Sequence, residues 1–72
     1  MFYTEPVSST CIKMIRYDDE TEILELDFTD GTTYWYPDVP IAKFYSLKYA
    51  RSIGRVFNLL IRPNYLFVKI LT

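Results

Sequence analysis

Seventy-two residues make one domain, close to the size at which a single core is only marginally stable without a disulfide, a metal or a partner subunit. One cysteine excludes an internal disulfide, and the absence of histidine removes the commonest zinc ligand and the usual acid-base catalyst at neutral pH. The net charge of −1 hides a split: all nine acids lie in the first 38 residues beside Lys13 and Arg16, a balance of −7, whereas the last 34 residues carry six bases and no acid.

The first ten residues contain Glu5 and Pro6 and have neither a basic start nor an apolar run, so no targeting signal is read there. With no apolar stretch long enough to span a bilayer, the expectation is a soluble, cytoplasmic protein with no membrane partner. Residues 11–17 and 22–28 read as strands, joined by a turn at 18–21, because large apolar residues alternate with charges. Leu24, Leu26 and Phe28 share one face, and Glu25 and Asp27 share the other. Cys11 reads as a small buried hydrophobe.

Thr29-Asp30-Gly31 closes a second hairpin, and residues 32–36 form the third strand, ended by Pro37. A three-residue loop with Gly31 in the left-handed conformation pairs Phe28 with Thr32, Leu26 with Tyr34 and Leu24 with Tyr36, turning both tyrosines inward. A two-residue Asp30-Gly31 turn would invert every side chain of the strand and send Trp35 inward. The three-residue loop is the expectation.

From Pro40 the apolar period becomes helical: Ile41, Phe44, Tyr45 and Lys48 share a stripe in a helix reaching about residue 50, with Pro40 suited to its first turn. Ser52 is a candidate N-cap for a second helix with Ile53, Val56, Phe57, Leu60 and Ile61 on its apolar side, ended by Arg62-Pro63. Gly54 in its first turn suggests close approach to a neighbouring element. Segment 65–71 is apolar with strong β propensity, so it either adds a short terminal strand or reaches a neighbouring subunit. The fold class is therefore α+β: a three-stranded antiparallel β-meander packed against two short helices, with that tail as the candidate fourth strand.

Pro6-Val7-Ser8-Ser9, Ile12, Tyr17-Asp18, the Tyr34-Trp35-Tyr36 triplet, Val39-Pro40, Ser52-Ile53-Gly54-Arg55-Val56-Phe57-Asn58, Ile61-Arg62 and Tyr65 together resemble the KTSC domain. That family is named for the C-terminus of certain lysyl-tRNA synthetases and also occurs as free-standing small bacterial and phage proteins. The resemblance covers roughly residues 7–65. It implies a structural signature at Tyr34 and Tyr36, with a variable middle position at Trp35, and it carries RNA binding as a proposal from the synthetase association. The more apolar tail after Tyr65 departs from the family pattern.

Lys43, Lys48, Arg51, Arg55 and Arg62 form the candidate nucleic-acid-binding set, Arg51 and Arg55 flanking the start of the second helix, where free N–H groups favour phosphate. The competing reading is a solvated helix face in which Lys48 and Arg51 cap the first helix. The protein-contact alternative uses Trp35, Phe67 in the tail and the acidic sheet face, since exposed tryptophans anchor interfaces. Acidic surface against basic surface also makes a homodimer conceivable. Catalysis has little support: Glu25 and Asp27 share a face without orienting groups, so no enzyme, cofactor or metal site is expected.

Overall fold

A computed structural model describes residues 1–6 and 11–70. It contains β1 (Phe2–Pro6), β2 (Ile12–Asp18), β3 (Ile23–Phe28), β4 (Thr33–Tyr36), α1 (Ile41–Lys48), α2 (Ile53–Val56) continuing into a π-helical turn (Phe57–Ile61), and β5 (Val68–Ile70). The strands form one antiparallel sheet in the order β1-β2-β3-β4-β5. The fold is thus α+β, and the meander is extended at both edges. The tail folds back as β5 beside β4, and the N-terminal β1 is a strand that periodicity did not reveal. Among the described residues no helix is long and apolar enough to cross a membrane. Val7, Ser8 and Ser9 of the resemblance, and Leu71 of the tail, lie outside the described residues.

The β3–β4 hairpin has the three-residue-loop register. Leu24 faces Tyr36 and Leu26 faces Tyr34, the Phe28 N–H donates to the Thr32 carbonyl at 2.8 Å, and Gly31 takes φ 92°. A positive φ costs glycine nothing. Asp30 Oδ1 closes the loop by accepting from the Thr32 N–H at 3.0 Å and the Thr32 hydroxyl at 2.6 Å. In β2 the simple alternation breaks: Ile12 pairs with Phe28, Met14 with Asp27 and Ile15 with Leu26. Lys13 is the extra residue of a bulge, and the inserted residue lets Ile12 and Ile15, three apart, both enter the core. Cys11, expected inside, is exposed, because β2 begins at Ile12 and that isoleucine takes the core position.

Both helices lie on one face of the sheet. Ile12, Ile15, Tyr17, Leu24, Leu26, Tyr36 and Val39 meet Phe44 and Leu47 of α1, Ile53 of α2, and Phe57 and Ile61 of the π turn. Rings carry much of this packing. Tyr17 stacks on Phe44 at 5.1 Å and 12°, and Tyr3 of β1 sits 5.5 Å from Phe44. A second group joins Phe28 and Tyr36 to Phe57 at 5.8 and 5.6 Å, with Phe67 edge-on to Tyr34 at 5.2 Å. Such pairs add to the area term of about 25 cal/mol per Å².

Helix α1 stops at Lys48, short of 50, and its stripe differs from expectation. Leu47 is buried, whereas Tyr45 lies toward solvent. Residues 44 and 47 are three apart, so the buried line runs through Leu47. Pro40 precedes the helix at the N-cap position with extended backbone (φ −68°, ψ 153°). Ser52 caps α2 as expected, its Oγ accepting from the Arg55 N–H at 3.4 Å. Gly54 is half-buried in the first turn of α2, and α1 packs against α2.

Candidate nucleic-acid interface and the open sheet face

Two of the five candidate cations have contacts of their own. Lys48 is spent in part: its Nζ lies 3.0 Å from Glu5 of β1, and that hydrogen bond raises the ammonium pKa above its ordinary value. Sequence distance hid this pair, since Glu5 comes from the acidic half of the chain and the two residues meet only because β1 flanks α1. Arg62 lies over the Phe57 ring, 5.6 Å from its centroid, at the end of the π turn. Lys43, Arg51, Arg55 and Arg62 form no ion pair among the described residues.

At the start of α2 the Ser52 hydroxyl accepts from the Arg55 N–H, and only four residues of α2 are α-helical. The geometry adds something not anticipated. Tyr49, just beyond α1, is 74% exposed and stacks on Tyr45 at 6.2 Å and 30°. The Lys48 ammonium lies 5.4 Å from the Tyr49 ring centroid, and Arg51 follows two residues later. This places one cation against an exposed aromatic face, with Arg51 close by in the chain. The sequence signal was the Tyr45, Lys48, Tyr49, Arg51 spacing, hidden by assigning Tyr45 to the core.

Among the described residues, no helix lies over the other face of the sheet. Glu25 faces Trp35 across β3–β4, Arg16 faces Glu25 across β2–β3, and Val68 of β5 faces Trp35. The expected acidic face carries a cation at its centre. Arg16 Nη1 donates to Glu25 Oε2 and to Asp27 Oδ2, the latter at 2.7 Å. The Glu25 hydrogen bond, against the opposing cost of burial, raises the guanidinium pKa above its ordinary value. Trp35 Nε1 donates to Glu25 Oε1 at 2.6 Å, and the Thr33 hydroxyl to Asp27 Oδ1 at 3.1 Å. Glu25 and Asp27 are therefore anchors of a polar network. Trp35 faces outward, 40% exposed, whereas Tyr36 is buried and Tyr34 half-buried. A cleft of about 190 Å³ opens beside the indole, lined by Arg16, Asp18, Thr21, Ile23, Glu25 and Trp35. Phe67 lies edge-on to Tyr34 and tilted against Tyr36, and is 57% exposed.

A single antiparallel meander with two helices on one face and an open polar face defines a small α+β domain of two layers. The model of the KTSC domain matches residues 8–65, and the chain belongs to that family. A KTSC domain protein of Yersinia pestis, known from a crystal structure, superposes with a TM-score of 0.89 and 36% identity over 99% of this chain and 100% of its own. A protein of Tsukamurella paurometabola is 41% identical over 61 residues, 85% of this chain and 91% of that protein. One from Stutzerimonas stutzeri is 36% identical over 59 residues, 82% and 83% of the two chains.

Proposed function

We propose that this KTSC domain is a non-catalytic module that binds single-stranded RNA across the α1–α2 junction. The carrying observation is Tyr49, exposed, stacked on Tyr45 and approached by the Lys48 ammonium, with Arg51 two residues on in the sequence. Unpaired bases stack on such rings, and cations track the backbone. Arg51 and Arg55 supply phosphate contacts close to the ring, and Lys43 and Arg62 extend the positive surface. Lys48 acts mainly by holding Tyr49 and Glu5.

Binding of a labelled single-stranded RNA and of tRNA across a salt series tests this reading. Four unpaired cations on four phosphates give a slope of log affinity against log salt of about −3. Arg51→Ala and Arg55→Ala flatten the slope, and Tyr49→Ala weakens binding by about 1–3 kcal/mol per stacked base without changing it. No binding at low salt ends the RNA reading. A second reading, protein contact through the opposite sheet face, is favoured by one observation: Trp35 is fixed by Glu25 while its ring remains accessible.

A further inference from the structure

We infer that the Trp35 cleft receives an arginine side chain from a basic segment of a partner protein. The inference rests on the protein-contact reading of the open sheet face and adds the chemistry of what enters. Size is the first constraint. At about 190 Å³ the cleft is smaller than the roughly 300–1,000 Å³ of sites for drug-sized ligands, which suits the end of one side chain.

Charge is the second. Asp18 and Glu25 line the cleft; Asp27 lies beside Glu25, and Asp19, Glu20 and Glu22 follow in the adjoining turn. Against these six carboxylates stand Arg16, engaged by Glu25 and Asp27, and the Met1 amine, 2.5 Å from Asp19 and 3.7 Å from Glu20. The surplus is negative, so the cleft repels phosphate and attracts a cation.

The ring decides between cations. Indole is the strongest aromatic partner for a positive group, and a planar guanidinium stacks on it where an ammonium only approaches as a point charge. The Glu25 hydrogen bond holds the indole in place before any ligand arrives, so less side-chain freedom is lost on binding. Ile23 and Thr21 offer contact for the arginine methylenes, and Asp18 offers a carboxylate within the same cleft.

The chain has one tryptophan, so its fluorescence reports on this cleft directly. The full-length protein is titrated with three blocked tripeptides, Gly-Arg-Gly, Gly-Lys-Gly and Gly-Gln-Gly. The expected result is a saturable change with the arginine peptide, several-fold weaker with lysine, absent with glutamine and suppressed by salt. Asp18→Asn, which keeps an oxygen for the Glu20 N–H it accepts at 3.0 Å, weakens the arginine response several-fold while circular dichroism is unchanged. Equal responses to arginine and glutamine overturn the cation assignment and leave only an apolar contact for the protein reading. No saturation at tens of millimolar overturns the site itself. A change produced by concentrating the protein alone, and reversed by salt, assigns the cleft to the basic half of a second copy and overturns the separate partner.

Discussion

The Tyr17 hydroxyl donates to the Val39 carbonyl at 2.5 Å, fastening the middle of the sheet to the segment that leads into α1. Both residues are buried, so the carbonyl has no easy access to water when the phenol is lost. Tyr17→Phe keeps the ring against Phe44 and removes only the oxygen. An unsatisfied buried acceptor costs about 1–3 kcal/mol, and urea unfolding should show that loss as a lower midpoint with an unchanged slope.

The same phenol makes the fold alkali-sensitive. Burial raises the pKa of Tyr17 above its ordinary value of 10.0, helped by the nearby Glu22, Asp19 and Asp18, and burial raises Tyr36 against the opposing charge of Arg62. The folded state holds these protons more tightly than the unfolded chain, so the stabilisation is complete below about pH 10 and is lost as pH rises through the folded-state values. Tyrosinate absorbance should therefore appear in two stages, the later one coinciding with loss of circular dichroism. Tyr17→Phe should weaken the dependence of stability on alkaline pH.

Phe44 touches both Tyr3 and Tyr17 and is fully buried. Phe44→Ala should cost about 3–5 kcal/mol. A chain of this length has roughly 4–11 kcal/mol to lose at the usual value per residue. Thermal unfolding should show a much lower midpoint, and tyrosine near-ultraviolet dichroism should fall before secondary structure does.

Gly31 separates backbone conformation from packing. A Cβ there would meet nothing within 4 Å, yet φ is 92°. Gly31→Ala should therefore destabilise by about 1 kcal/mol through strain alone, and Gly31→Asn by less, since asparagine tolerates positive φ better. Chemical denaturation of the two variants measures the difference. Equal losses would mean that space, not φ, sets the cost.

The Glu5–Lys48 pair gives the RNA reading a gain-of-function arm. Glu5→Gln should free the Lys48 ammonium, tighten RNA binding at low salt and make the salt slope steeper by about 0.7, the increment for one further phosphate on a single strand. Fluorescence anisotropy with the RNA above checks it. An unchanged slope would place Lys48 outside the RNA path.

The sequence made the β3–β4 hairpin readable because Thr29-Asp30-Gly31 couples loop length to face: only one register puts Leu24, Leu26, Tyr34 and Tyr36 together. It also marked Ser52 as a cap, a local signal with a local effect. What it concealed depends on residues far apart in the chain. Five residues with Glu5 and Pro6 carry too little alternation to announce β1, whose place is set by pairing with β2 and by Tyr3 on Phe44. Arg16 looked like one base in an acidic stretch until cross-strand pairing put it between Glu25 and Asp27. The basic half was readable as composition, but the pairing of Lys48 with Glu5 and the seat of Arg62 over the Phe57 ring were not.

The strand order β1-β2-β3-β4-β5 follows chain order, so every strand pairs with its neighbours in sequence. Only the β4–β5 pairing spans a long connection, because α1, α2 and the π turn lie between the two strands. Wherever residues 68–70 detach, the β4 edge at Thr33, Tyr34 and Trp35 has no strand beside it. An open, aromatic edge is where a chain pairs with the wrong neighbour, so the three residues of β5 guard the sheet against aggregation.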